Sequence, residues 1–256
     1  MIIEYHRPET LDEALGLLAR SEPVTMPLGG GIVLNQPSCD PVAVVDLQSL
    51  RLDVIEAGDR KLNIGATITL QKLMNLTDIS PALSKAIRHE AAYNLRQMAT
   101  VAGALVASDG RSPFSAVMLA LNAQLSIMQH GSDTEQIPLG DFLPLRPEHL
   151  PHRLITRVVI PTNVHLAYHY VARSPADLPI VCAAVGQWSS GRTRVVLGGH
   201  GDQPILALDG PNSEGAEIAA RHAYSEAGDQ WASAEYRGDV AETLTKRCLQ
   251  ELASDD

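Results

Sequence analysis

Cysteine is scarce in this chain. Cys39, Cys182 and Cys248 are the three among 256 residues, odd in number, far apart and in no C-x-x-C pattern. That argues against a disulfide framework, and it predicts no resident iron–sulfur cluster, which needs four clustered ligands. Basic blocks are missing too. Twenty Lys and Arg stand against thirty Asp and Glu, for a net charge of −10, which argues against a nucleic-acid partner. A single dinucleotide remains compatible, because backbone amides and a helix dipole hold a pyrophosphate without net positive charge. No run of about 18 apolar residues occurs. The opening MIIEYHRPET carries Glu4 and Arg7 where a signal peptide needs its apolar stretch, so the sequence predicts a cytoplasmic protein with no membrane segment. Close histidine pairs are limited to His149/His152, flanked by prolines, and His165/His169, in a strand-like segment. Packing or solvent-exposed histidines are the expectation there, and no metal site.

What is present is a chain that is 45% hydrophobic, enough for one large domain or two to three small ones. RPETLDEALGLLAR predicts a helix: Thr10 and Glu13 have capping-box spacing, and Leu11, Ala14, Leu15 and Leu18 form an apolar stripe. PVTMPLGG reads as a strand entering a glycine turn and PVAVVDL as a β-branched strand, so the first fifty residues form a small β-α-β unit. KLNIGATITLQKLMN predicts a strand and a short helix. Ser80-Pro81 and Ser112-Pro113 each open a helix. TVAGALVASDG reads as a small-residue strand and loop, followed by strands in AQLSIMQ and LITRVVIP. Beyond Asn163, HLAYHYVA, IVCAAVGQW and RTRVVLGGH predict three antiparallel strands. A polar Gly/Pro-rich stretch from Asp202 to Gly215 then leads into an Ala-rich helical end. The predicted class is α+β, with domains at 1–163 (subparts about 1–52 and 53–163) and 164–256.

Two small-residue turns are candidates for ligand contact. Gly29-Gly30-Gly31 permits positive φ and removes Cβ atoms, so consecutive N–H groups can converge on an anion. Alone it fits G-x-G-x-x-G poorly, and a plain tight turn is the ordinary reading. Thr100-Val101-Ala102-Gly103-Ala104 also allows close approach, with a packed buried strand as the bland alternative. Facing each other across a cleft, the two turns would clamp a pyrophosphate from two sides.

With those segments in order, the chain resembles the flavin-binding medium subunit of the molybdenum hydroxylases, the group of xanthine and carbon monoxide dehydrogenases. EYHRPETLDEALGLLA is similar to the family's start. PLGGGIVL takes the place of its first flavin loop, A-G-G-T-D-L, and LRQMATVAGALVASDGRSPFSAVMLALNA takes that of the block holding its second, T-I-G-G-N. VVDLQSL, IGATITLQKLM, RSPADLPIVCAAV, RVVLGG and SAEYRGDVAETLTKRCL match the remaining segments, so the likeness covers nearly the whole chain. It implies a two-part flavin-binding module of the PCMH type, followed by a domain of three antiparallel strands with helices. It further implies FAD extended between the two parts, with Leu28, Gly29, Gly30, Gly31, Ile32 and Val33 on one side and Thr100, Val101, Ala102, Gly103 and Ala104 on the other. By the same likeness 2Fe–2S clusters lie on a small partner subunit, the molybdenum cofactor lies on a large molybdopterin subunit, and NAD or another acceptor takes the electrons.

The chain departs from the pattern in places. Gly31 and Ile32 stand where the family has Thr-Asp, and Ala102-Gly103-Ala104 where it has Gly-Gly-Asn. His169 stands where a basic residue is frequent. Asp109 and Arg111 in SDGRSP are candidates to compensate, Asp109 at a ribose hydroxyl and Arg111 bidentate on a phosphate; an exposed Asp-Gly turn with an N-cap at Ser112 is the alternative. No catalytic acid, base or nucleophile is implied on this chain. The runner-up function is a flavin-less structural or assembly subunit of such a complex.

Overall fold

A computed structural model describes residues 1–32, 34 and 40–254. The helices in chain order are α1 (Leu11–Leu18), α2 (Leu70–Met74), α3 (Pro81–Glu90), α4 (Tyr93–Arg96), α5 (Val101–Ala107), α6 (Pro113–Ala120), α7 (Leu139–Phe142), α8 (Arg146–His149), α9 (Ala216–Ala223) and α10 (Ala234–Ser254). The chain packs as two compact units that interleave along the sequence. The first comprises 1–73, 94–107 and 124–160, the second 74–93, 108–123 and 161–256.

The first unit carries two sheets. Strands β1 (Ile2–His6), β2 (Thr25–Leu28) and β3 (Val42–Asp46) form a parallel sheet in the order β1-β3-β2. Strands running parallel in one sheet need a crossover, and α1 carries the chain from β1 to β2, the two strands that flank β3. Thr10 caps that helix, its hydroxyl accepting from Glu13 N–H at 3.2 Å. The stripe Ala14, Leu15 and Leu18 is buried against Val45, Leu47, Leu50 and Leu52. The second sheet runs β4-β5-β8-β6-β7 from β4 (Ile55–Gly58), β5 (Lys61–Gly65), β6 (Gln124–Gln129), β7 (Glu135–Pro138) and β8 (Arg153–Pro161).

The second unit is an antiparallel sheet, in the order β12-β11-β10-β9, of β9 (Val164–Val171), β10 (Val181–Trp188), β11 (Thr193–Gly198) and β12 (Ile205–Gly210). Alternation along β10 assigns its two faces. Val181, Ala183 and Val185 join the core made with α9 and α10. Gly186 lies on the other face, where an added Cβ would meet the Ala120 carbonyl oxygen of α6 at 2.6 Å. Every residue of α6 is buried, and its entry is well capped. Ser112 Oγ accepts from Ser115 N–H at 3.0 Å, and the Glu90 carboxylate accepts from both Ser112 Oγ at 2.8 Å and Phe114 N–H at 2.9 Å. On α10, Arg237 is completely buried. It donates to the Ile180 and Gly199 carbonyls and, with both contacts at 2.7 Å, to the Asp229 carboxylate.

Two local expectations are corrected. The 101–107 segment is a helix, not a strand: Thr100 closes its first turn, and the Ala-rich run buries Val101, Ala102 and Leu105 on one side. The C-terminal sheet has a fourth strand, β12, inside the polar Gly/Pro-rich stretch Asp202–Gly215, whereas the sequence predicts three strands in all. Its pairing with β11 shifts register between Val195 and Val196, and its mixed burial hides the strand period. Among the described residues no helix is long and apolar enough to cross a membrane, and no group of three or more His, Cys, Asp or Glu is placed to hold a metal ion.

Candidate functional site

The ladder between β2 and β3 ends where the Leu28 carbonyl accepts from Leu47 N–H at 3.1 Å. Gly29 and Gly30 follow, past the last rung. A Cβ on Gly30 would lie 1.8 Å from the Met98 carbonyl oxygen, so the turn seats backbone on backbone and only glycine fits. A Cβ on Gly29 would come within 3.1 Å of Thr100 Oγ1. The same hydroxyl accepts from Gly103 N–H at 3.1 Å. Thr100 thus stands between the two glycine-bearing turns, and both belong to the first unit.

Thr69 bridges to Thr100 as an isolated antiparallel pair, with Leu70 N–H donating to Ala99 O and Val101 N–H to Ile68 O, each at 2.8 Å. Thr69 also caps α2, its hydroxyl accepting from Lys72 N–H at 3.2 Å. These contacts surround a cleft of about 440 Å³. Gly29, Gly30 and Thr100 line it, together with Gln48, Asp53, Thr67, Thr69, Lys72, Gln97 and Met98. Lys72 Nζ lies 3.4 Å from Asp53 Oδ2, both side chains more than half exposed. The backbone of Gln48 is held at the cleft wall, its N–H donating to the buried Asp46 carboxylate at 2.9 Å, a carboxylate that also accepts from the Tyr5 hydroxyl.

The remaining sequence candidates have other settings. Gly31 adopts φ +74°, and a Cβ there would touch Leu28 Cδ1 at 3.4 Å; Ile32 continues the turn. Val33 lies outside the described residues, as does Cys39. Val101, Ala102, Gly103 and Ala104 form the first turn of α5, and their four amides are already engaged by Ile68 O, Ala66 O, Thr100 Oγ1 and Thr100 O. Asp109, Arg111 and His169 belong to the second unit. Asp109 Oδ1 accepts from Arg111 N–H at 2.8 Å. The Arg111 guanidinium donates to Leu178 O at 2.8 Å and Pro179 O at 3.2 Å and lies over the Trp231 ring. His169 Nε2 pairs with Glu251 of α10 at 2.7 Å.

Sequence reasoning passed over Asp53, Thr67, Thr69 and Lys72. The only local signals were the alternating threonines of GATIT and the capping position of Thr69. As a donor set, bare glycine backbone, three threonine hydroxyls and one ammonium suit an anionic, polyhydroxylated ligand. A diphosphate between sugar-like chains fits that chemistry.

Comparison with known proteins gives the arrangement its context. Residues 1–163 match the family described as the FAD binding domain in molybdopterin dehydrogenase. An uncharacterized protein of Escherichia coli K12, YgfM, is 30% identical over 82% of this chain and 79% of its own length. The 6-hydroxypseudooxynicotine dehydrogenase complex subunit alpha of Paenarthrobacter nicotinovorans is 28% identical, over 96% of this chain and 93% of its own. The fold is shared with a chain of the Cu,Mo-CO dehydrogenase crystal structure, at a TM-score of 0.81 over 100% of this chain and 99% of that one, with 22% identity. A whole-chain likeness in fold, a 30% identical relative and a family model spanning the cleft-bearing segments agree: this chain belongs to the FAD-binding medium subunits of the molybdenum hydroxylases, an oxidoreductase component of molybdopterin-dependent dehydrogenases.

Proposed function

We propose that this chain is the electron-transfer flavoprotein of a cytoplasmic, multi-subunit molybdenum hydroxylase. It takes electrons from the iron–sulfur clusters of a small partner subunit, which receive them from the molybdenum cofactor of a large one, and passes them to NAD or another acceptor. The observation that carries the reading is the meeting of the Gly29–Gly30 turn with Thr100 at one cleft, inside the segments matched by the FAD-domain family. The relative named as a dehydrogenase complex subunit supports the partners.

Bound FAD would supply the redox chemistry, joining one-electron donors to two-electron acceptors. The chain's own residues bind and orient. Gly29 and Gly30 bring bare backbone to the diphosphate, because no side chain intervenes. Thr67, Thr69 and Thr100 offer hydroxyls along the cleft, Thr69 and Thr100 held in place by their capping bonds. No residue of this chain is required to move a substrate proton in that relay.

The test is purification under non-denaturing conditions and titration with FAD, followed by quenching of flavin fluorescence. Saturable uptake is expected, with bleaching of the visible flavin band when the iron–sulfur and molybdenum partners and their substrate are added. A colourless protein that takes up no FAD, alone or with those partners, overturns the proposal.

A further inference from the structure

The cleft raises a charge problem that the glycine turns do not solve. A diphosphate brings about two negative charges to a chain whose net charge is −10. The second turn does not help, because the amides of Val101, Ala102, Gly103 and Ala104 are all engaged within the protein. Gly29 and Gly30 offer amides but no charge. Among the described lining residues, Lys72 is the one basic side chain. Its ammonium is 3.4 Å from Asp53, in a pair whose side chains are 60% and 55% exposed. An exposed pair of that kind contributes little stability and exchanges partners readily. The backbone beneath Lys72 is fixed by the Thr69 cap, so the side chain has a defined origin at the cleft wall.

We propose that Lys72 is the cationic contact for the FAD diphosphate, and that Asp53 competes with the ligand for that ammonium. The inference rests on the flavin-binding reading above and names the residues that make it work. In the free protein Lys72 rests on Asp53. When FAD enters, the ammonium turns to the phosphate oxygens, where a charge-assisted hydrogen bond is stronger than the exposed pair it leaves. Asp53 is then left unpaired beside a dianion, a repulsion that lowers affinity. Removing the carboxylate therefore tightens binding, while removing the ammonium weakens it.

The experiment measures FAD affinity by fluorescence quenching for the full-length wild type, K72Q, K72R and D53N at low and high salt. Both sites are exposed, so the variants should melt with the wild type. K72Q should bind at least about tenfold more weakly with a shallower salt dependence, because the screened ionic contact is gone. K72R should stay close to wild type, and D53N should bind a few-fold more tightly, its salt dependence retained. K72Q binding FAD as the wild type does, with the same salt response, overturns the assignment of Lys72. D53N binding more weakly overturns the role of Asp53. A wild type that takes up no FAD at any salt overturns the flavin reading itself, and this inference with it.

Discussion

Gly30 is the residue on which the first turn depends. The chain could bear a larger residue at Gly16 in α1, whose φ is not positive and where an added Cβ would come no closer than 3.8 Å to the His130 ring. At Gly30 it would meet the Met98 carbonyl carbon and oxygen at 2.7 and 1.8 Å. Backbone cannot rotate away as a side-chain tip would. Gly30→Ala should therefore lower stability by about 2 kcal/mol in urea titration and abolish most FAD uptake, because relief requires the turn to leave the cleft wall. Glu90 is a second single-residue case, with a pH signature. Burial raises its carboxyl above the ordinary value of 4.5, against the Phe114 amide and Ser112 hydroxyl that lower it. The folded state thus holds the proton longer than the unfolded state does. Stability is lost as pH rises from 4.5 through the folded value, and none is lost below it. Glu90→Gln keeps an acceptor for both donors and cannot ionise. Relative to wild type it should gain stability from pH 4.5 upward by at most about 1.4 kcal/mol per pH unit, read from urea midpoints at several pH values.

At the scale of elements, α10 is fastened by one side chain. Arg237 reaches the ends of β10 and β11 through the Ile180 and Gly199 carbonyls and clamps Asp229 in the loop before the helix. Arg237→Met would strand the Ile180 and Gly199 carbonyls and leave the 29% exposed Asp229 carboxylate with only the Trp231 and Ala232 amides as donors. The expected cost is about 3 kcal/mol, near the lower bound for breaking a buried pair, measured by chemical denaturation. Nothing in AEYRGD marks this arginine as buried, since its partners lie 8 to 57 residues away. The same distinction separates what the sequence disclosed from what it did not. Helix α1 was legible because its cap and stripe are local. Helix α5 was not, because Gly103 and the β-branched valines favour a strand reading and Thr100 caps it without an acidic partner three residues on. At the cleft, Gly29 and Gly30 stand out by composition. Lys72 and Asp53 do not: they are 19 residues apart on an ordinary helix and an ordinary loop, and only tertiary folding brings them to the same wall.

For the whole molecule, the order of the chain and the packing of the chain divide it differently. The family match ends at Asn163, yet α3 and α6, which precede that point, pack in the second unit with β9–β12. Helix α6 has no exposed face to present to water: Phe114, Ala116, Val117 and Met118 are fully buried. A fragment 164–256 would leave uncovered the face of β10 and β11 that α6 occupies, where Cys182 is buried enough for its thiol to be pushed up to about 12. A fragment 1–163 would carry α6 with α3 still beside it but without the β10–β11 face that completes its burial. Exposed apolar surface on that scale drives aggregation, so each fragment expressed alone should be insoluble or lack cooperative unfolding, although the cut falls between two strands in a polar Thr162–Asn163 turn. Co-expression of the two should restore a soluble complex, because the missing helix and the missing sheet are each other's cover. Two independently soluble, cooperatively melting fragments would contradict this, and soluble yield with thermal melting of each fragment and of the pair decides it.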